Sequence, residues 1–170
     1  MAHRFSNNGR LDRDALMPEL RTFLETLIRT MRLDVRFEVL PAEPEPGDVE
    51  SPEVVVNFRG RDQELLLERG AELLRAIEYI ALRAMHIDPK MLDHVRFECG
   101  DFVAMRIEEL KLSAKVAAER VLESRQPFAF NAMNARERRI IHLALKDTPG
   151  VRTSSDGDGD RRHVVLYPAS

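Results

Sequence analysis

The chain has 170 residues, of which 44% are hydrophobic and 32% charged, with a net charge of −3. This composition supports one packed domain or two small ones and argues against disorder. A single cysteine, Cys99, excludes an internal disulfide and a cysteine-based zinc site, and no apolar run approaches the ~20 residues needed to span a bilayer. Met1 to Asn8 is polar and lacks the apolar core of a secretory leader, so the expected compartment is the cytoplasm, with no membrane insertion. The acidic balance weighs against strong nonspecific nucleic-acid binding, but the charge is uneven. From Phe130 to Ser170 seven Arg and Lys stand against five Asp and Glu, so that segment is +2 and the remainder −5. Binding is therefore expected toward the C-terminus.

The first twelve residues read as a loose tail. From Asp14 to Met31, apolar residues at Leu16, Leu20, Phe23, Leu24, Leu27, Ile28 and Met31 recur in steps of one, three and four, which predicts an amphipathic helix. Val35, Phe37 and Val39 alternate with polar neighbours as a half-buried strand over Leu33 to Leu40. Pro41 to Pro52 reads as a mobile loop, Val54 to Phe58 as a second strand, and Arg59-Gly60 as a turn. A short helix over Asp62 to Leu67 is interrupted at Gly70, and a longer one follows over Ala71 to His86, with Pro89 ending the segment. His94 to Cys99 alternates as a third strand. The order is α-β-β-α-α-β.

A second unit follows. Phe102 to Ser124 predicts a long helix stopped before Pro127, and Phe128 and Phe130 mark a short strand. Asn134 and Glu137 have the spacing of a capping box at the start of a helix running to about Lys146. After a turn at Thr148-Pro149-Gly150, Val151 to Ser155 and His163 to Tyr167 form a hairpin around Asp156-Gly157-Asp158-Gly159-Asp160.

The sharpest chemical signal is Glu137-Arg138-Arg139-Ile140-Ile141-His142. Arg138 and His142, four apart on a helix, lie on one face, while Ile140, Ile141 and Ala144 take the other. A guanidinium offers a planar fork for phosphate or a plane for a base, and a His one turn along adds a ring donor and a stacking surface. From spacing alone, a surface Arg and a His bonded to local backbone fits as well. Other constellations are weaker. The Asp-Gly repeat starts like a calcium loop, but its twelfth position is Tyr167 where a bidentate Glu is needed, so no metal is expected. Cys99 sits in an apolar strand and reads as a buried small hydrophobe. His142, Asp147 and Ser154 lack a nucleophile elbow, and no enzyme activity or cofactor is expected.

The stretch Asn131 to Leu145, with Arg138 and His142 at its centre, resembles the signature of the R-three-H domain, named for an Arg and a His separated by three residues. Gly150 to Ser155 and Arg161 to Pro168 resemble its closing hairpin, and the preceding unit resembles a type II KH domain. KH followed by R-three-H is the arrangement of the bacterial Jag family, also called SpoIIIJ-associated proteins. The resemblance covers roughly residues 14 to 170. It implies an α+β chain with a KH-like domain over 14–100 and an R-three-H domain over 101–170. It also implies single-stranded nucleic-acid binding, RNA ahead of DNA, and a role in post-transcriptional regulation. Arg138 and His142 are then the contacts, Arg136, Arg139, Arg152, Arg161 and Arg162 add flanking charge, and Arg69 and Gly70 assist from the KH side. One feature departs from the family. A KH domain clamps the strand with a GXXG loop, and the matching residues here are Leu67-Glu68-Arg69-Gly70. Leu67 blocks close approach and Glu68 repels phosphate. The alternative is a KH-like unit that has become a protein-docking or self-association surface, which an exposed apolar patch around Leu67 favours.

Overall fold

The computed structural model describes residues 5–7, 10–43, 50 and 52–169, and the chain divides into two compact units, Met1–Val103 and Ala104–Ser170. The architecture is α+β.

In the first unit, α1 (Arg13–Met31) starts where the Asp12 carboxylate accepts the Ala15 N–H at 3.1 Å, and it buries Leu16, Leu20, Leu24 and Ile28. Strands β3 (Val35–Pro41) and β4 (Val54–Gly60) pair antiparallel, and β5 (Val95–Cys99) joins β4 in parallel. A parallel pair needs a crossover, and α2 (Gln63–Ala84) supplies it. Val39, Val56 and Phe97 stand side by side on the face toward the helices, as do Phe37, Phe58 and Cys99. That face meets Leu66, Leu74, Ile77 and Ala81 of α2, giving one apolar core. Cys99 is fully buried in it, and burial raises its thiol pKa, as befits an inert packing residue.

Three expectations change. The residues expected as a loose tail form a small hairpin, β1 (Ser6–Asn7) with β2 (Arg10–Leu11), and Phe5 and Leu11 are buried in the core. Two apolar residues six apart are too few to leave a periodic signal. Arg59-Gly60 continues β4 and does not turn: Gly60 pairs with Val35, and a Cβ there would lie 2.5 Å from the Asp34 carbonyl oxygen. The interruption expected at Gly70 is present: the helical run Gln63–Ala84 is two helices joined across a break, with Glu68 extended and Arg69, Gly70 and Ala71 left-handed. Pro89 does not simply end a segment; it opens a 3-10 turn, Pro89–His94, that leads into β5. The Pro- and Glu-rich loop expected over 41–52 falls largely outside the described residues.

In the second unit, α3 (Phe102–Ser124, from Ala104 onward) buries Ile107, Leu110, Ala114, Ala117, Ala118 and Val121 along one stripe. Strands β6 (Phe128–Ala129), β7 (Val151–Asp156) and β8 (His163–Pro168) form an antiparallel sheet in the order β6-β8-β7. Helix α4 (Ala135–Ala144) lies between β6 and β7 in sequence and packs through Ile140 and Ile141. Val164 and Leu166, fully buried, share a sheet face with Ser155, Thr153 and Phe128, because directly paired residues project to the same side.

Candidate nucleic-acid interface

The interface starts with the first turn of α4. The Asn134 side chain accepts the Glu137 N–H at 3.0 Å, and Glu137 accepts the Asn134 N–H at 3.2 Å, closing the capping box expected from the spacing. Glu137 also accepts from Arg106 of α3 at 2.9 Å, so the start of α4 is fixed to its neighbouring helix. Arg106 bonds Glu109 as well.

Met133, just ahead of the cap, joins two of the expected site residues. Its N–H donates to the Arg162 carbonyl at 3.1 Å, and its carbonyl accepts Nη1 of Arg138 at 2.8 Å. The Arg138 guanidinium is thereby held at the entry to α4, beside the β7–β8 turn that carries exposed Arg161 and Arg162. A guanidinium has five N–H donors, so the Met133 bond leaves it able to bind an anion.

His142, one turn on, is half-buried. Nδ1 pairs with the Thr153 hydroxyl at 2.6 Å and Nε2 with the Ser155 hydroxyl at 2.9 Å. Both partners come from β7, so the ring ties α4 to the sheet. Burial, and then the nearby positive charge of Arg138, lower its pKa, which favours the neutral ring. A neutral imidazole has one donor and one acceptor, and the two hydroxyls use both. The ring donor expected from sequence is thus engaged inside the unit. Neither nitrogen meets a carboxylate in these bonds, and Ser154 turns away to bond Asp156 at 2.8 Å, so no Ser-His-Asp relay is assembled.

The other flanking arginines fall into two groups. Arg136, half-buried, and Arg139, exposed, ride on α4 with Arg138. Arg152 does not join them. On β7, Thr153 and Ser155 point to His142, so Arg152, Ser154 and Asp156 project from the opposite side of the sheet. There Arg152 lies over the ring of Tyr167, 4.6 Å from its centroid, directly across the ladder. The Tyr167 hydroxyl donates to Asp156 at 3.0 Å. The hydroxyls of Ser154 and then Tyr167 lower the Asp156 pKa. Sequence reading missed this pairing, because it depends on the register between β7 and β8.

In the first unit, Arg69 and Gly70 lie at the exposed kink of α2, where Arg75 hydrogen-bonds the Gly70 carbonyl. Leu67 is half-buried and packs on the core, so the residue in the place of the first loop Gly is anchored inward, while Glu68 is exposed. Among the described residues, no three His, Cys, Asp or Glu converge as a metal site, and no helix is long and apolar enough to cross a membrane.

Residues 108–168 match the R3H domain. Over 154 residues the chain is 28% identical to RNA-binding protein KhpB of Clostridium symbiosum, a match covering 91% of this chain and 67% of that protein. It is 27% identical over 155 residues to RNA-binding protein KhpB of Streptococcus pneumoniae serotype 2, covering 91% of this chain and 45% of that one. Over 112 residues it is 28% identical to RNA-binding protein KhpB of Bacillus subtilis, covering 65% and 54%. The matches thus span about half the length of the last two relatives.

Proposed function

We propose that the chain is a Jag-like protein, with an R-three-H domain in its C-terminal unit, and that it binds single-stranded nucleic acid, RNA ahead of DNA, as a binding protein and not as an enzyme. The observation that carries this reading is the Met133 junction, which holds the Arg138 guanidinium beside the exposed Arg161 and Arg162 turn. Arg138 takes a phosphate or the plane of a base, and the His142 ring offers a neighbouring surface. Arg136 and Arg139 add charge to the same helix, α4. The names of the relatives, RNA-binding proteins, support RNA as the ligand. The cellular role is then post-transcriptional, in the cytoplasm.

The first unit contributes less to binding in this account. Leu67 is committed to the core and Glu68 is a repulsive charge in the loop that should clamp the strand. A second reading, docking of a protein partner or a second copy on this unit, is favoured by exposed Leu65 beside that loop. Crosslinking the protein in cells and sequencing the recovered nucleic acid tests the primary reading. Enrichment of defined transcripts is expected, and recovery of background RNA alone contradicts it.

A further inference from the structure

We propose that the sheet face opposite α4 is a second strand-contact surface, on which Arg152, braced by Tyr167, presents its guanidinium to a nucleobase. This rests on the reading of the chain as a single-strand binder, and adds a separate contact to it. The face is built by the β ladder. Arg152, Ser154 and Asp156 alternate along β7, and His163, Val165 and Tyr167 alternate along β8. Arg152 and Tyr167 are direct cross-strand partners, and the guanidinium carbon lies 4.6 Å from the ring centroid. The ring is held in turn: its hydroxyl donates to Asp156 at 3.0 Å, and Asp156 accepts from Ser154 at 2.8 Å. Arg152 is nonetheless exposed. A cation restrained over a fixed aromatic ring has lost much of the side-chain freedom that binding otherwise removes.

The chemistry selects a base and not a phosphate. Asp156 places a carboxylate on the same face, and that charge opposes an incoming phosphate while leaving the guanidinium plane available for stacking. The position suits a strand that also meets Arg138. β7 is the edge strand of its sheet, with Thr153 and Ser155 under His142 on one side and Arg152 on the other. A strand rounding this edge meets both surfaces.

The test follows the Arg152 Nε–Hε and Tyr167 ring resonances of the full chain during titration with a mixed-sequence single strand and with an abasic strand of equal length. The base-bearing strand should shift both resonances, and the abasic strand should leave them in place. Arg152→Ala should weaken binding about tenfold, in line with loss of one stacked base, and Arg152→Lys should recover little of it. Equal shifts with the abasic strand, or full recovery by Arg152→Lys, would show a charge contact and overturn the stacking assignment. Binding by the unsubstituted chain with neither resonance moving overturns this surface and leaves the Arg138 site standing. No binding of either strand overturns both. The resonance test uses the unsubstituted protein, so it holds even if a variant folds poorly.

Discussion

Arg138 and Arg162, 24 positions apart in the chain, both bond the backbone of Met133, one through Nη1 to its carbonyl and the other by accepting its N–H. The residue expected to touch nucleic acid therefore also fastens the entry to α4. Arg138→Ala should cost about 0.5–1.5 kcal/mol of stability, the worth of an ordinary hydrogen bond, where a purely surface residue would cost under about 0.5. Affinity for a single strand should fall by about 1–3 kcal/mol. Thermal melts and a binding titration on the same sample separate the two losses, and unchanged affinity would place the contact elsewhere.

His142 gives a pH prediction. Its pKa is lower folded than unfolded, through burial and then Arg138. The unfolded chain therefore takes up a proton more readily than the folded one as pH drops below about 6.5. The stability this group contributes is complete above that point and is lost as pH falls through the lower folded value. The C-terminal unit should thus weaken in mild acid, and His142→Gln should flatten the stability profile between about pH 5 and 7. A variant with the same slope as the parent would show that another group controls it. His142→Ala strands the Thr153 and Ser155 hydroxyls and should cost about 1–3 kcal/mol.

The capping box gives a cleaner test of local structure. Asn134→Ala removes the acceptor for the Glu137 N–H and should destabilise by about 0.5–2 kcal/mol. Because the Met133 junction adjoins this cap, affinity should fall in the same variant. Loss of stability with unchanged affinity would separate the cap from the binding surface.

The Leu67–Gly70 loop, read as a degenerate KH clamp, can be repaired only in part. Glu68 is exposed, so Glu68→Lys should fold normally and strengthen binding to a long strand more than to a short one, as expected when two linked sites engage together. Leu67→Gly should instead lower the melting temperature, since Leu67 packs on the core. A stable Glu68→Lys chain with no length-dependent gain would favour the docking role for this unit.

The periodic elements were legible because each buries a repeating face. Phe102–Ser124 was expected and found with the same bounds, and so was the capping box at Asn134 and Glu137. What sequence could not display depends on register and distant partners. The three-residue spacing put Arg138 and His142 on one face, but not the Thr153 and Ser155 hydroxyls that occupy the ring. Arg152 looked like one more charge beside Arg138 until the β7–β8 pairing placed it across the sheet, over Tyr167. Gly60 read as a turn because glycine usually signals one, whereas here it lets β4 pass the Asp34 carbonyl.

The central claim is tested most directly by titrating the full chain with a labelled single-stranded oligoribonucleotide at several salt concentrations. Contacts through Arg138 and its neighbours involve few phosphates, so log affinity should fall with log salt at a slope on the order of −2 to −4, at about −0.7 per phosphate. Arg138→Ala should make that slope shallower. Binding that is absent at low salt, or present with no salt dependence and no response to Arg138→Ala, would contradict the account.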